Sequence, residues 1–163
     1  RLVFPNYEVT DSFLSSLAPV YAGLGQTAAT NYQFAAQEAL LEGDPERLVK
    51  VLKCFFANIP YNLTDRQNEQ MWQTVVYVVL KAIGAAVHAE VMTNDGRIDM
   101  VCEAPADIWL IEFKLDRPAE EALEQIDRNE YAAKFGFTGK KVVKIGVSFS
   151  SEMRTITDVK VSC

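Results

Sequence analysis

The sequence predicts an α/β protein in which a helical first half precedes a β-rich second half. Up to Gly84, apolar residues recur at the three- and four-residue spacing that gives a helix one apolar face. Beyond Gly84 the apolar period changes to two, and Asn94-Asp95-Gly96 is a typical hairpin turn. Pro118 then opens a single helix among the strands. The predicted order is four helices, three strands, one helix and two strands.

Caps and breakers place the four helices of the first half. Asp44 and Pro45 form a clear helix start, because aspartate can cap the first turn and proline fits the first helical position. Pro60 ends that helix, and Gly84 ends the next one, which Thr64 or Asp65 caps. The predicted ranges are about 7 to the early twenties, 31–41, 45–59 and 65–83.

Five strands are predicted where alternating or continuous apolar residues lie between turn signals. They cover about 87–92, 97–103, 108–115, 142–149 and 155–161, and the helix that starts at Pro118 runs to about Lys134. If residues 104–107 connect the second and third strands, Glu103 pairs with Ile108. The same register then places Asp99 opposite Glu112.

Asp99, Glu112 and Lys114 are the strongest candidates for a functional site. Glu112 and Lys114 lie two residues apart on a strand, so their side chains share one face. Directly opposed residues also point the same way, with Cβ atoms roughly 5 Å apart, and like charges in that arrangement destabilise a sheet. A divalent cation bound between Asp99 and Glu112 would account for two carboxylates in this unfavourable arrangement.

These residue types suit magnesium chemistry on phosphate esters. Mg²⁺ prefers oxygen ligands and is usually held by one or two carboxylates with waters and substrate phosphates. Asp99 and Glu112 supply the carboxylates, and the backbone carbonyl of Phe113 is placed to add a third oxygen. Lys114 would orient or deprotonate the attacking water, or neutralise charge on the phosphate.

Composition and charge narrow the class of protein. The net charge of -6 argues against a protein that coats nucleic acid. The last 36 residues are basic; either they provide phosphates with a docking surface, or Lys140 and Lys141 simply solubilise a turn, which is the favoured interpretation. No apolar run is long enough to span a membrane. Three cysteines without metal-ligand spacing are typical of a reducing cytoplasm, where we expect the protein to act.

Two short motifs resemble those of the PD-(D/E)XK nuclease superfamily. Residues 96–99 (Gly-Arg-Ile-Asp) match the first half of its motif, except that Ile98 replaces the usual proline, and residues 111–115 (Ile-Glu-Phe-Lys-Leu) match the second half. The helix at Pro118 looks like the family helix that brings a glutamine, here Gln125, beside the site. The resemblance implies a restriction-endonuclease-like core, a mixed central sheet flanked by helices, that uses Mg²⁺ or Mn²⁺.

The resemblance is closer to one branch of that superfamily. Residues 4–9, 55–61 and 146–150 look like the C-terminal nuclease-like domain of bacterial proteins that begin with an AAA-ATPase-like module. This implies that residues 1–60 form a helical extension packed on a nuclease-like core of residues 61–163. It also implies that the chain is a fragment of a longer protein, whose ATPase-like domain is a partner.

The accessory residues have simpler interpretations that stay open. Glu69 looks like the acid of the family's first core helix, and it is also a normal residue for a helix face. Arg97 either contacts phosphate or pairs with a nearby acid, Tyr131 is typical of a core edge, and Gln125 is as easily a solvated helix residue.

The favoured function is metal-dependent hydrolysis of DNA or RNA, with DNA preferred. One alternative is a non-catalytic module that binds nucleic acid or docks on the ATPase-like partner. A further alternative is a structural domain whose helical first half is the contact surface.

Overall fold

The computed structural model describes residues 26–57 and 69–163, and its centre is one five-stranded sheet in the order β1-β2-β3-β4-β5. β3 and β4 are parallel, and the other neighbouring strands are antiparallel. The mixed sheet with flanking helices confirms the predicted α/β fold class. The strands are β1 (Ala86–Thr93), β2 (Gly96–Glu103), β3 (Asp107–Leu115), β4 (Lys141–Ser150) and β5 (Thr155–Ser162).

Four α-helices are described: α1 (Gln26–Glu42), α2 (Pro45–Phe56), α3 (Glu69–Ala82) and α4 (Ala119–Arg128). α2 begins as predicted, because the backbone N–H of Arg47 donates to Asp44 Oδ1 at 2.8 Å and Pro45 is the first helical residue. The predicted first helix and the caps at Thr64 and Asp65 lie outside the described residues. Among the helices that the structure describes, none has both the length and the apolar character needed to cross a bilayer.

The helix after Pro118 is shorter than predicted. It ends at Arg128 instead of Lys134, because Glu130 adopts a left-handed backbone with φ of +47°. A short 3₁₀-helix follows over Tyr131–Phe135. α1 also begins earlier than its predicted start at residue 31.

Helices cover both faces of the sheet. α1, α2 and α3 share one core with Phe113 and Phe149, and the Trp72 ring in α3 stacks on Phe149 with 5.1 Å between centroids. α4 and the 3₁₀-helix cover the other face, where Ile126 and Tyr131 pack on Leu110. Burying a large apolar side chain contributes about 1.5–3 kcal/mol, so these contacts fix the layers that flank the site.

β2 separates from β3 partway along its length. The paired residues run from Glu103–Ile108, as the sequence predicts, to Met100–Ile111, where the ladder stops. At this point Met100 faces the core of α1–α3, whereas Ile98 faces the core of α4. Residues two apart on a regular strand share a face, so the hairpin of β1 and β2 twists between them. Glu90 in β1, opposite this twist, has a φ of +55°.

Candidate active site

Two carboxylates occupy the gap that opens between β2 and β3. The backbone N–H of Phe113 donates to Asp99 Oδ2 at 3.0 Å, and that of Leu115 donates to Glu69 Oε2 at 3.2 Å. Alternate N–H groups of a strand point to the same side, so β2 would have paired with both of them had the ladder continued. Asp99 and Glu69 therefore accept the hydrogen bonds that β2 would have accepted, and these bonds hold both carboxylates in place.

Glu112 lies beside Asp99 and is almost completely buried. It is 2% exposed, Glu112 Oε2 accepts a 3.3 Å hydrogen bond from the Asp99 backbone N–H, and Glu112 Oε1 accepts one from Gln125 Nε2. Burial, and then the Asp99 carboxylate, raise the pKa of Glu112 to about 8. Burial also raises the pKa of Asp99, the Phe113 N–H opposes that shift, and Glu69 adds to it. Both shifts favour the neutral forms, so the fold disfavours ionisation of these two carboxylates in the absence of a cation.

Lys114 supplies the positive charge of this cluster. Its Nζ donates to Gln125 Oε1 at 2.7 Å and to the Phe113 carbonyl at 3.1 Å, and it lies 3.7 Å from Glu112 Oε1. An ammonium has three protons, so two are directed into the protein and one is left for a further acceptor. Gln125 bridges the site, because its amide accepts from Lys114 and donates to Glu112.

The close packing of α4 on β4 brings Gln125 to the strand. Gly146 lies beside Glu112 in the parallel register, and a Cβ added there would overlap the carbonyl oxygen of Ala119. Ala119 and Ala122 are fully buried, which shows how closely the helix approaches the sheet. The absence of a side chain at Gly146 therefore lets α4 present Gln125 to Glu112 and Lys114.

Arg97 and Tyr131 lie at the hairpin rather than among the clustered carboxylates. Arg97 is half exposed and pairs with Glu90, with 3.2 Å between Nη1 and Oε1. The buried Tyr131 hydroxyl donates to the Arg97 carbonyl at 2.9 Å and accepts from Asn129 Nδ2 at 2.8 Å. Tyr131 thus holds the backbone two residues before Asp99. Glu90 was missed from the sequence, although the hairpin register alone places it opposite Asp99.

The donor set resembles a magnesium site more than a zinc site. In the two described segments, no three or more His, Cys, Asp or Glu side chains form a ready-made metal cluster. Asp99 and Glu112 offer carboxylates, and the Phe113 carbonyl lies on the same side of β3 as the N–H that bonds Asp99. That carbonyl has one lone pair left beyond its bond to Lys114. Two carboxylates and a carbonyl, completed by water, fit the usual Mg²⁺ coordination.

Comparison with known proteins agrees with this geometry. A relative from Azotobacter chroococcum mcd 1, "Uncharacterized protein in vnfD 5'region", is 32% identical in an alignment that covers 96% of this chain and 31% of the relative. The chain thus spans about a third of that relative's length. No solved structure gives a significant match. A family model described as the PD-(D/E)XK nuclease superfamily matches residues 67–159, which include β1 to β4, most of β5, α3, α4 and the cluster around Asp99. The mixed sheet and its helices form a restriction-endonuclease-like core, and the chain belongs to the PD-(D/E)XK nuclease superfamily.

Proposed function

We propose that this domain is a metal-dependent nuclease that hydrolyses phosphodiester bonds of DNA or RNA, with DNA as the favoured substrate. The observation that carries the proposal is the buried cluster in which Asp99, Glu112 and Lys114 meet beside Gln125. Family membership supports the reaction class. Because one fold can serve many functions, the assignment depends on these side chains.

Asp99, Glu112 and the Phe113 carbonyl would hold Mg²⁺ or Mn²⁺. The bound ion would polarise the phosphate and make a water more acidic. The pKa values of both carboxylates are raised, first by burial and further by neighbouring carboxylates, so the site lacks the stabilisation of the ionised forms that a bound cation would supply. A divalent cation would favour the ionised form of both groups.

Lys114 and Gln125 would orient the reacting groups. Lys114 Nζ has one proton free of the contacts to Gln125 and Phe113, and this proton is available for the attacking water or for a phosphate oxygen. In hydrolysis the water oxygen forms a bond to phosphorus, the bond to the leaving oxygen breaks, and a proton is transferred to that oxygen. Glu69 would act as a positioning residue, since it binds the Leu115 N–H and keeps the strand edge in place.

The proposal is tested by cleavage assays on single- and double-stranded DNA and on RNA, with Mg²⁺ or Mn²⁺. Asp99→Ala, Glu112→Ala and Lys114→Ala should each abolish cleavage while the thermal unfolding transition remains cooperative. Glu124→Ala is the matched control, because Glu124 is an exposed carboxylate on α4. Cleavage by all three site variants at the wild-type rate would refute the assignment.

A second candidate is an interaction module that works with an AAA-ATPase-like domain of the same protein. Phe34 and Leu41 support it, because they lie seven residues apart on α1 and are 61% and 63% exposed. The relative, about three times longer than its matched segment, supports the presence of further domains. On this view the helical extension of residues 1–60 packs on the core of residues 61–163 and contacts the partner. Binding of nucleic acid without Mg²⁺-dependent cleavage, and loss of partner binding in Phe34→Ser/Leu41→Ser, would favour this candidate.

A further inference from the structure

A small cavity opens beside Asp99, between α3 and the bend of β1. Its volume is about 140 Å³, well below the 300–1,000 Å³ that is common for drug-sized ligands. It can therefore take a single ring system but not a whole nucleotide. Because Asp99 forms part of its wall, a substrate held at the carboxylate cluster would extend into it. The other polar wall residues are Glu90 in β1 and Gln70, Gln73, Thr74 and Tyr77 in α3.

The wall of this cavity is unsuited to a phosphate. Among the residues that the structure describes, the wall includes no lysine or arginine, and its two charged residues, Glu90 and Asp99, are acidic; Glu90 is paired with Arg97, which lies outside the wall. A phosphate placed there would meet like charge at short range. A neutral group with N–H donors would instead find acceptors in the Glu90 carboxylate and in the amide oxygens of Gln70 and Gln73. The exocyclic amino groups of adenine, cytosine and guanine are donors of this kind.

The side chains of α3 have hydrogen-bonding capacity left for such a group. Within the described residues, the Gln70 amide and the Tyr77 hydroxyl form no hydrogen bond, and the Gln73 amide has one long contact of 3.5 Å to Glu69. An amide can both donate to and accept from the edge of a base. Lys81 Nζ lies over the Tyr77 ring at 5.7 Å from its centroid, and the other face of the ring is a surface of the kind on which bases stack.

The backbone at Glu90 is consistent with a functional role for this wall. Its φ of +55° is rare for a residue other than glycine, and such conformations are found disproportionately at ligand sites. The ion pair with Arg97 holds the Glu90 carboxylate at the edge of the cavity. Glu90 lies between Ala89 and Val91, whose partners Met100 and Ile98 flank Asp99, so the bend places an acceptor in the same cavity wall as Asp99.

We infer that this cavity binds one nucleobase of the nucleotide next to the scissile phosphate and prefers bases that carry an amino group. The phosphate would lie at Asp99, Glu112 and Lys114, and the base would contact Gln70, Gln73 and Tyr77. The inference rests on the proposed nuclease function. It adds that the protein recognises one nucleobase of the substrate.

Cleavage of an oligonucleotide that lacks one base tests the inference. With an abasic position next to one phosphate, the wild-type protein should cut at that phosphate about tenfold more slowly than at the other bonds of the same strand. Gln70→Ala/Gln73→Ala should cut all bonds at similar rates, and alanine keeps the helix propensity of α3. Gln37→Ala, on the exposed face of α1, is the matched control and should behave as wild type. Equal cutting by wild type, or selectivity retained in the double variant, would overturn the inference.

Binding in metal-free buffer separates this inference from the nuclease function. Fluorescence anisotropy would compare a ten-nucleotide adenine strand with a ten-nucleotide abasic strand. Wild type should bind the adenine strand about tenfold more tightly, and the double variant should bind both equally. If this preference is found but Mg²⁺ and Mn²⁺ support no cleavage, the base site stands and the nuclease proposal fails. If cleavage is found but wild type binds both strands equally, the nuclease proposal stands and the base site fails.

Discussion

The stability of the metal-free domain should fall as pH rises, because Glu112 binds a proton in the folded state. Its pKa is about 8 in the fold, compared with an ordinary value of 4.5. Between these two values the folded state holds a proton that the unfolded chain has released, so the free energy of unfolding decreases with pH and levels off above about 8. At about 1.4 kcal/mol per unit of pKa difference, the full loss is roughly 5 kcal/mol. The raised pKa of Asp99 acts in the same direction.

Urea unfolding at pH 5 to 9 in the presence of a chelator measures this effect. The wild-type protein should lose roughly 4 kcal/mol more than Glu112→Gln over this range, since glutamine cannot ionise. At pH 5 the two proteins should differ by only about 1 kcal/mol, the net contribution of one hydrogen bond. Glu124→Gln, the same change at an exposed position on α4, should follow wild type. Parallel curves for wild type and Glu112→Gln would refute the reasoning.

Three further substitutions test how the site is held. Gly146→Ala should lower the free energy of unfolding by about 1–3 kcal/mol, since its Cβ would overlap Ala119. Gly136→Ala, whose added Cβ would have its nearest contact at 3.5 Å, should change this free energy little. Equal effects of the two substitutions in urea unfolding would contradict the prediction. Tyr131→Phe should lower the free energy of unfolding by about 1–2 kcal/mol, because the hydrogen bond from the hydroxyl to the Arg97 carbonyl is lost. It should also speed hydrogen exchange of the Phe113 N–H, which donates to Asp99 two residues after Arg97. Unchanged exchange would show that the hydroxyl does not position Asp99. Asp44→Ala should cost about 1 kcal/mol through loss of the α2 cap, and thermal unfolding at the wild-type temperature would contradict it.

Local patterns were sufficient to predict most of the fold. The cap at Asp44, the turn at residues 94–96 and the pairing of Glu103 with Ile108 all depend on residues close in sequence. The early end of α4 was not predicted, because the left-handed Glu130 serves a contact between Tyr131 and a strand more than 30 residues away.

The candidate site was predictable in composition but not in architecture. Spacing predicts that Asp99, Glu112 and Lys114 share one face. In the structure the three residues do meet, although the ladder stops at Met100–Ile111, one pair before Asp99 would oppose Glu112. Spacing does not predict that β2 separates from β3 and that carboxylates replace the missing ladder bonds. The contact of Glu69 with Leu115 joins residues 46 positions apart, and no local sequence pattern predicts such a contact. Only the packing of α3 on the sheet brings these two together.

Metal binding by Asp99 is the central claim, and calorimetric titration tests it most directly. Mg²⁺ and Mn²⁺ would be titrated into wild type, Asp99→Ala and Glu124→Ala at pH 8. Wild type and Glu124→Ala should bind either ion with heat release or uptake and with release of a proton, because the ion favours the ionised carboxylates. Asp99→Ala should show no binding. Equal binding by Asp99→Ala and wild type, or no binding by wild type, would contradict the account.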